Sequence, residues 1–275
     1  MNTKTKVIAI TNYKGGVGKS TITTNLGFEL EKLGYKVLMI DFDGQKNLTA
    51  FCGMKKHCND NNIITALDDI ENSNFDNLYP DPILNVKGQL DLITCDIRKT
   101  AWKNRVLSSI SKDTIMKRYI DTLREKYDYD YILIDNAPSV ETDLVNTLVA
   151  ADEYLIVTEA EVGSVDAITT VVNVIEQVQK LLNPKLKPAG ILVNKYDKRT
   201  TLHKLLLDVI KETWKDKIYI FETIIPNSIA VADSELMNTP VSVYNKNNNA
   251  AKAFEALTKE FVERTFESED TLKLA

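Results

Sequence analysis

The chain has 275 residues, 44% of them apolar and 27% charged. Those fractions belong to a globular protein with ample chain for a core, and they exclude disordered and collagen-like chains. Lys and Arg number 34 against 39 Asp and Glu, a formal net charge of −5, so any nucleic-acid contact requires a local basic patch.

Short runs rich in Ile, Val and Leu alternate with longer stretches of helical period. The runs lack polar alternation, the pattern of parallel strands buried on both faces. In chain order the reading predicts a strand at 7–11, a helix at 20–33, and a strand at 36–41. In the helix, Ile22, Leu26, Leu30 and Leu33 form one stripe, with Gly34 as C-terminal cap. Residues 58–81, rich in Asn and Asp, read as a surface excursion with a short helix near 64–70. Then come a strand at 90–94, a helix at 115–126, strands at 131–135 and 154–158, and a helix at 165–182. A strand at 189–194, a helix at 201–214 and a strand at 223–225 follow. A polar hinge at 245–249 precedes a last helix at 250–266. Strand–helix alternation of this kind predicts an α/β fold: a doubly wound, mostly parallel sheet with helices on both faces. The domain organisation expected is one domain over residues 1–266 and a flexible acidic tail over 267–275.

The strongest signal is the stretch Val7-Ile8-Ala9-Ile10-Thr11-Asn12-Tyr13-Lys14-Gly15-Gly16-Val17-Gly18-Lys19-Ser20-Thr21. It leaves a strand and opens a helix, as a phosphate loop must. Its glycines let successive amides converge on phosphate oxygens, and the helix dipole adds to the attraction. Lys19 is expected to reach the β- and γ-phosphates, and the Ser20 hydroxyl to bind Mg²⁺. The loop departs from the ordinary P-loop form. Tyr13 stands at the first glycine position, and a second lysine, Lys14, sits too near the entrance to duplicate Lys19. Lys14 is either directed across an interface toward a partner subunit's nucleotide or a solvated surface lysine.

The string K-G-G-V-G-K-S over residues 14–20 resembles the deviant Walker A motif of the ParA/MinD group of ATPases. Asp41-Phe42-Asp43-Gly44-Gln45-Lys46-Asn47 resembles that group's D-x-D-P-Q-x-N, with Gly44 in place of proline. The stretch 132–139, ending Asp135-Asn136-Ala137-Pro138-Ser139, resembles its Walker B segment, with Ala137 replacing the first proline. Residues 190–197, with Arg199 and Thr200, are similar to the group's segment after the sixth strand. The expected lack of an N-terminal DNA-binding extension is similar to short ParA proteins of the Soj type. The resemblance implies a P-loop NTPase using ATP and Mg²⁺, with Lys14, Lys19 and Asp43 as catalytic residues. Lys14 would touch the other subunit's phosphates in an ATP-bound homodimer, and Asp43 would orient the attacking water. Ser20, Asp41 and Asp135 would support the metal. Lys14, Gly15, Gly16, Val17, Gly18, Lys19, Ser20, Thr21, Asn194, Pro226 and Asn227 would hold the nucleotide, the last three at the base. Asn194-Lys195-Tyr196-Asp197 also fits the N-K-x-D pattern that reads guanine, so GTP is the competing ligand; the deviant loop and the D-x-D element weigh toward ATP.

The charge is uneven. Residues 180–217 carry ten Lys or Arg against four Asp or Glu, and residues 98–126 carry nine against three. Lys204, Lys211 and Lys215 share a helical face that either tracks phosphates without reading sequence or is an ordinary solvated face. The resemblance implies non-specific DNA binding by the ATP dimer, and hydrolysis stimulated by a separate ParB-like centromere-binding protein. Segregation of a plasmid or chromosome is the implied outcome. This chain has Asn227 and Ala230 where many Soj-like proteins carry arginine, so Lys198, Arg199, Lys204 and Lys211 are the DNA-binding candidates.

The alternative is a MinD-like positioning or regulatory switch acting on a protein or membrane partner. A membrane role needs a basic amphipathic C-terminal helix. Residues 250–266 have an apolar face of Ala253, Phe254, Leu257, Phe261 and Val262, but Glu267, Glu269 and Asp270 follow, which anionic lipid repels. That helix is expected to pack on the body, with no membrane partner. No apolar run reaches about 18 residues and no signal-peptide core is visible, so the cytoplasm is the expected location; the DNA binding that the resemblance implies adds association with the nucleoid. Three cysteines (Cys52, Cys58 and Cys95) suit a reducing compartment and lack the spacing of a zinc or iron–sulfur site. Trp102 and Trp214 are expected as packing anchors, and His203 as a surface residue.

Overall fold

The computed structural model describes residues 5–57, 61–72 and 82–270. Its elements in order are β1 (Lys6–Thr11), α1 (Lys19–Lys32), β2 (Val37–Phe42), α2 (Asn47–Phe51), α3 (Ile63–Glu71), β3 (Ile83–Lys87), β4 (Leu90–Ile93), α4 (Lys99–Val106) and α5 (Ile115–Lys126). There follow β5 (Tyr131–Asn136), α6 (Thr142–Ala150), β6 (Glu153–Glu159), α7 (Ser164–Leu181), β7 (Lys187–Asn194), α8 (Thr201–Trp214), α9 (Ile229–Leu236), α10 (Val241–Tyr244) and α11 (Asn249–Asp270).

The strands form one sheet in the order β3-β4-β2-β5-β1-β6-β7, parallel except for β3. Because β2, β5, β1 and β6 lie inside the sheet and are covered on both faces, every residue of β2, β5 and β6 is buried. Alternate residues feed two cores. Val7, Leu38, Ile40, Ile132 and Ile134 meet α3, α5, α6 and α7 on one face. Ile8, Ile10, Met39 and Leu133 meet α1 and α11 on the other. This is the doubly wound arrangement expected from the alternation of apolar runs and helical stretches.

Helix α1 ends as the sequence predicts. Gly34 takes φ +95°, its N–H bonds Glu31 O, and the Tyr35 N–H bonds Leu30 O, a left-handed cap that satisfies the last carbonyls. Ile22, Leu26 and Leu30 are fully buried, whereas Leu33, placed on the same stripe, is half exposed at the helix end. Helix α11 lays Phe254, Leu257 and Phe261 into the core it shares with α1, so its apolar face is covered by the body. It runs on to Asp270, past the boundary read at residue 266.

Two strand expectations need correction. Residues 223–225 are no strand: Phe221 and Ile225 donate singly to Ile191 and Val193, leaving only isolated bridges beside β7. Conversely, β3 is an antiparallel edge strand that the reading missed, because its outer position lets Asn85 and Lys87 interrupt the apolar pattern. Helices α2, α4, α6, α9 and α10, of four to nine residues, are too short for a 3.6-residue period to show. Cys58 and parts of the 58–81 excursion lie outside the described residues, as do residues 271–275 of the acidic tail.

Candidate nucleotide site

The loops leaving β1, β2, β5 and β7 converge at the C-terminal edge of the sheet, where open α/β folds place ligands. There they enclose a cavity of about 400 Å³. The β1–α1 loop forms its floor. Asn12 fixes the loop entrance: its amide donates to Val157 O at 2.7 Å, and its oxygen accepts from the Lys14 N–H at 3.0 Å. Gly18 closes the loop at φ +89° as the N-cap of α1. A Cβ there would lie 2.2 Å from Asn194 Nδ2, so both backbone and neighbour demand glycine. No side chain caps the start of α1. A helix terminus in that state suits an anion.

Of the residues expected at a nucleotide, Gly16, Gly18, Lys19, Ser20, Thr21, Asp43, Asn194, Pro226 and Asn227 line this cavity. Lys14, Gly15, Val17, Asp41 and Asp135 do not. Val17 is buried and its carbonyl accepts from Asn194 Nδ2 at 2.8 Å. Lys14 is turned to the rim, where its ammonium pairs with Glu161 at 2.7 Å. Lys19 is nearly buried and its Nζ lies 3.4 Å from Lys14 O. Burial lowers its pKa, opposed by the charges of Asp135 and Asp43.

Beneath the floor, Asp41 and Asp135 occupy opposed register positions on β2 and β5, both fully buried. Loss of solvation, relieved only in part by hydrogen bonds from Thr49 and the Asp43 N–H, raises Asp41 to about 6. Burial, with the Asp41 charge added, pushes Asp135 up to about 8. The two acids are held differently. Asp41 accepts from Thr49 N–H at 2.9 Å, Thr49 Oγ1 at 2.6 Å and Asp43 N–H at 3.1 Å, so both its oxygens are engaged. Asp135 accepts from Ser20 Oγ at 2.6 Å through one oxygen, while its Oδ1 has no partner. An orphaned carboxylate oxygen beside a hydroxyl is a donor set that fits a hard divalent cation. Asp43 opens the β2–α2 turn, accepting the Gln45 N–H at 3.0 Å, and faces the cavity.

Several lining residues escaped the site assignment. Gln45, Asn47 and Pro138 belong to motif strings already noticed, so their signal was present. Val231, Ala232 and Glu235 reach the cavity because α9 folds back over it, which no local pattern announces. Glu235 accepts from Thr21 Oγ1, and burial raises its pKa. Lys195 adopts φ +51°, donates to Gly16 O and pairs with Glu159 at 3.1 Å, clamping the β7 loop to the phosphate loop. Asp197, which a guanine reader needs at the base edge, does not line the cavity. Its carboxylate is held by Arg199 at 2.8 and 3.0 Å, which keeps it far below the usual range.

The basic candidates lie outside the cavity. Lys198, Arg199 and Lys204 are exposed around the start of α8, and Lys211 is half-buried farther along it. Among the described residues no ion pair engages Lys198, Lys204 or Lys211, whereas Lys215 pairs with Glu212. Leu202, Leu205 and Val209 are exposed on the same helix. The positive excess of residues 98–126 is largely neutralised: Lys99 meets Asp143, Lys103 meets Glu141, Arg105 meets Asp68, and Arg124 meets Asp152. Trp102 and Trp214 are buried packing residues. His203 is half-buried, its Nδ1 accepting from the Asp197 N–H at 3.0 Å.

A family model described as an AAA domain matches residues 5–188. The sporulation initiation inhibitor protein Soj of Bacillus subtilis is 31% identical over 261 residues, covering 93% of this chain and 97% of Soj. A plasmid partition protein from Borrelia burgdorferi superposes with a TM-score of 0.72 at 28% identity, covering 95% of this chain and 99% of that one. A second Borrelia burgdorferi structure, of a candidate plasmid partition protein bound to AMPPNP, gives a TM-score of 0.74 at 26% identity. It covers 96% of this chain and all of that one.

Proposed function

Because the chain belongs to the ParA/MinD family of ATPases, we propose that it is a partition ATPase converting ATP and water to ADP and phosphate with Mg²⁺. ATP favours a face-to-face homodimer, and the dimer holds DNA without reading its sequence. Hydrolysis, stimulated by a separate ParB-like centromere-binding protein, parts the dimer and releases the DNA. The cargo is a plasmid or chromosome, and the working location is the nucleoid. The observation that carries this reading is the convergence of Lys19, Ser20 and Asp43 on one cavity directly above the buried Asp135.

Lys19 and the amides of residues 15–20 would hold the phosphates, and Thr21 the phosphate nearest the ribose. Ser20 and Asp135 would hold Mg²⁺, whose charge would offset that of the phosphates. Asp41 acts at one remove: its bond to the Asp43 N–H fixes the turn that presents the Asp43 carboxylate to the attacking water. Asn194, Pro226 and Asn227 border the part of the cavity left for the base. The AMPPNP-bound Borrelia burgdorferi relative supports an adenine triphosphate as ligand.

Lys14 would exchange Glu161 for the partner subunit's phosphates. Contacts to the γ-phosphate made only in the dimer stabilise that state selectively, so hydrolysis shifts the equilibrium back to free subunits.

DNA contact rests on Lys198, Lys204 and Lys211, which are in no ion pair among the described residues, with Arg199 contributing through the edge of its pair with Asp197. A second reading, a positioning or regulatory switch with a protein partner, draws support from the exposed Leu202, Leu205 and Val209 between those lysines. The buried apolar face of α11 argues against a membrane anchor there. Titration of random duplex DNA, with and without ATP across a salt series, separates the readings. Binding that needs ATP and weakens steeply with salt supports partition. No binding under either condition would sink it and leave the protein-partner switch.

A further inference from the structure

Among the described residues Lys99 and Lys19 are the buried lysines, and the Lys99 ammonium has three neighbours. It donates to Phe42 O at 2.5 Å and to Asp143 Oδ2 at 2.9 Å, and lies 4.4 Å from the centre of the Phe42 ring. The second Asp143 oxygen accepts from Ser139 Oγ at 2.8 Å, and that hydroxyl in turn accepts the Glu141 N–H at 3.1 Å. Trp102, one turn along α4 from Lys99, packs edge-on against the same Phe42 ring at 5.7 Å. Burial alone would raise Asp143, but the Lys99 charge and hydrogen bonds outweigh it and hold the carboxyl below its ordinary value.

The pair joins two segments that border the cavity. Phe42 is the last residue of β2 and directly precedes Asp43. Ser139 follows Pro138 in the β5–α6 loop, and Pro138, like Asp43, lines the cavity. A buried ion pair is a poor source of stability, since an apolar pair of similar volume serves as well or better. What an apolar pair cannot do is grip a carbonyl and a hydroxyl in fixed directions.

We propose that Lys99 and Asp143 are positioning residues: together they lock the exit of β2 to the β5–α6 loop and so fix where Asp43 meets the reacting phosphate. Neither touches substrate. The inference rests on the reading of the cavity as an ATPase site.

Either single change strands a buried charge, so the informative variant replaces both, Lys99→Met with Asp143→Leu, in the full chain. Three measurements on it and on the unaltered protein decide the matter. Thermal unfolding is expected to shift little, which separates positioning from general support of the fold. Affinity for a fluorescent ATP analogue is expected to stay within about twofold and kcat to fall at least tenfold, since binding contacts persist while the attack geometry loosens. Amide exchange without nucleotide, read on peptides covering 43–47 and 138–142, is expected to quicken in the variant while peptides from the β5 interior stay protected. Unchanged exchange in both loops, or unaltered kcat, overturns the positioning role; so does an equal collapse of affinity and turnover. If the unaltered protein hydrolyses no ATP, the ATPase reading fails, and the exchange experiment still decides whether the pair locks the two loops.

Discussion

Asp41 and Asp135 face each other across neighbouring parallel strands with both carboxyls sealed from water, yet only Asp135 keeps an oxygen without a partner. Asp41 is engaged by Thr49 and by the turn that carries Asp43. The two acids are therefore held differently: one fixes the turn that carries Asp43, the other has an oxygen free to accept a cation.

Their protonation sets a pH dependence for the protein free of nucleotide and divalent cations. Asp41 is raised to about 6 and Asp135 to about 8, so between the ordinary carboxylate range and pH 8 these two groups bind more protons in the folded chain than in the unfolded one. Stability from these groups is greatest at the acidic end of that window and falls as pH rises through it. Thermal unfolding should give a higher Tm at pH 6 than at pH 8. Asp135→Asn should flatten the difference, and Mg²⁺ should raise Tm at pH 8 by binding the charged form.

Lys14 and Lys19 should fail in different ways. Lys19→Ala removes the ammonium inside the cavity and is expected to weaken nucleotide binding. Lys14→Ala leaves the cavity intact and should abolish ATP-dependent dimerisation. Analytical sedimentation with ATP checks this, and a Lys14→Ala protein that dimerises normally would remove the cross-subunit role.

Asp43→Ala should lower turnover by about 10²–10⁴-fold, the usual reach of a positioned acid–base group. With hydrolysis stalled, the ATP-bound dimer should accumulate on a sizing column. Rapid turnover in this variant would take Asp43 out of its assigned part.

Phe254 tests the seating of α11. The ring is fully buried in the core shared with α1. Phe254→Ala should cost about 3–5 kcal/mol in urea unfolding. A change below about 1 kcal/mol would show that α11 is free to leave the body, and would reopen a membrane role.

Each lysine that contacts a phosphate should lower the slope of log affinity against log salt by about 0.9 when changed to alanine. Lys198, Lys204 and Lys211 are the residues to change singly and together. A slope that stays fixed in the triple variant would move DNA contact to another face.

The phosphate loop was legible in the sequence because its chemistry is local: strand, glycines, lysine, hydroxyl and helix follow one another within fifteen residues. The placement of Asp43 at the cavity and of Asp135 beneath it was legible because each stands where an apolar strand ends. The Lys99–Asp143 pair was not, since its partners are 44 positions apart and meet only once α4 and α6 are in place. Glu235 was missed for the same reason. The basic count over 98–126 misled in the opposite sense: its neutralising acids, Asp68, Glu141 and Asp152, lie outside the segment and arrive only with the fold. The edge strand β3 was hidden because one open side relaxes the demand for apolar residues.

The core beneath α1 has a consequence for synthesis. Helix α1 and the strands it packs on are made early, but its remaining cover comes last: the Val241 N–H reaches Asn25 Oδ1 across 216 positions, and α11 follows. At roughly 5–20 residues per second, ribosomes would need on the order of 10–40 s to deliver that cover. For that interval the part of this core that Phe254, Leu257 and Phe261 fill stays open on the nascent chain, which makes the last helix a condition for closing the half of the molecule that bears the phosphate loop.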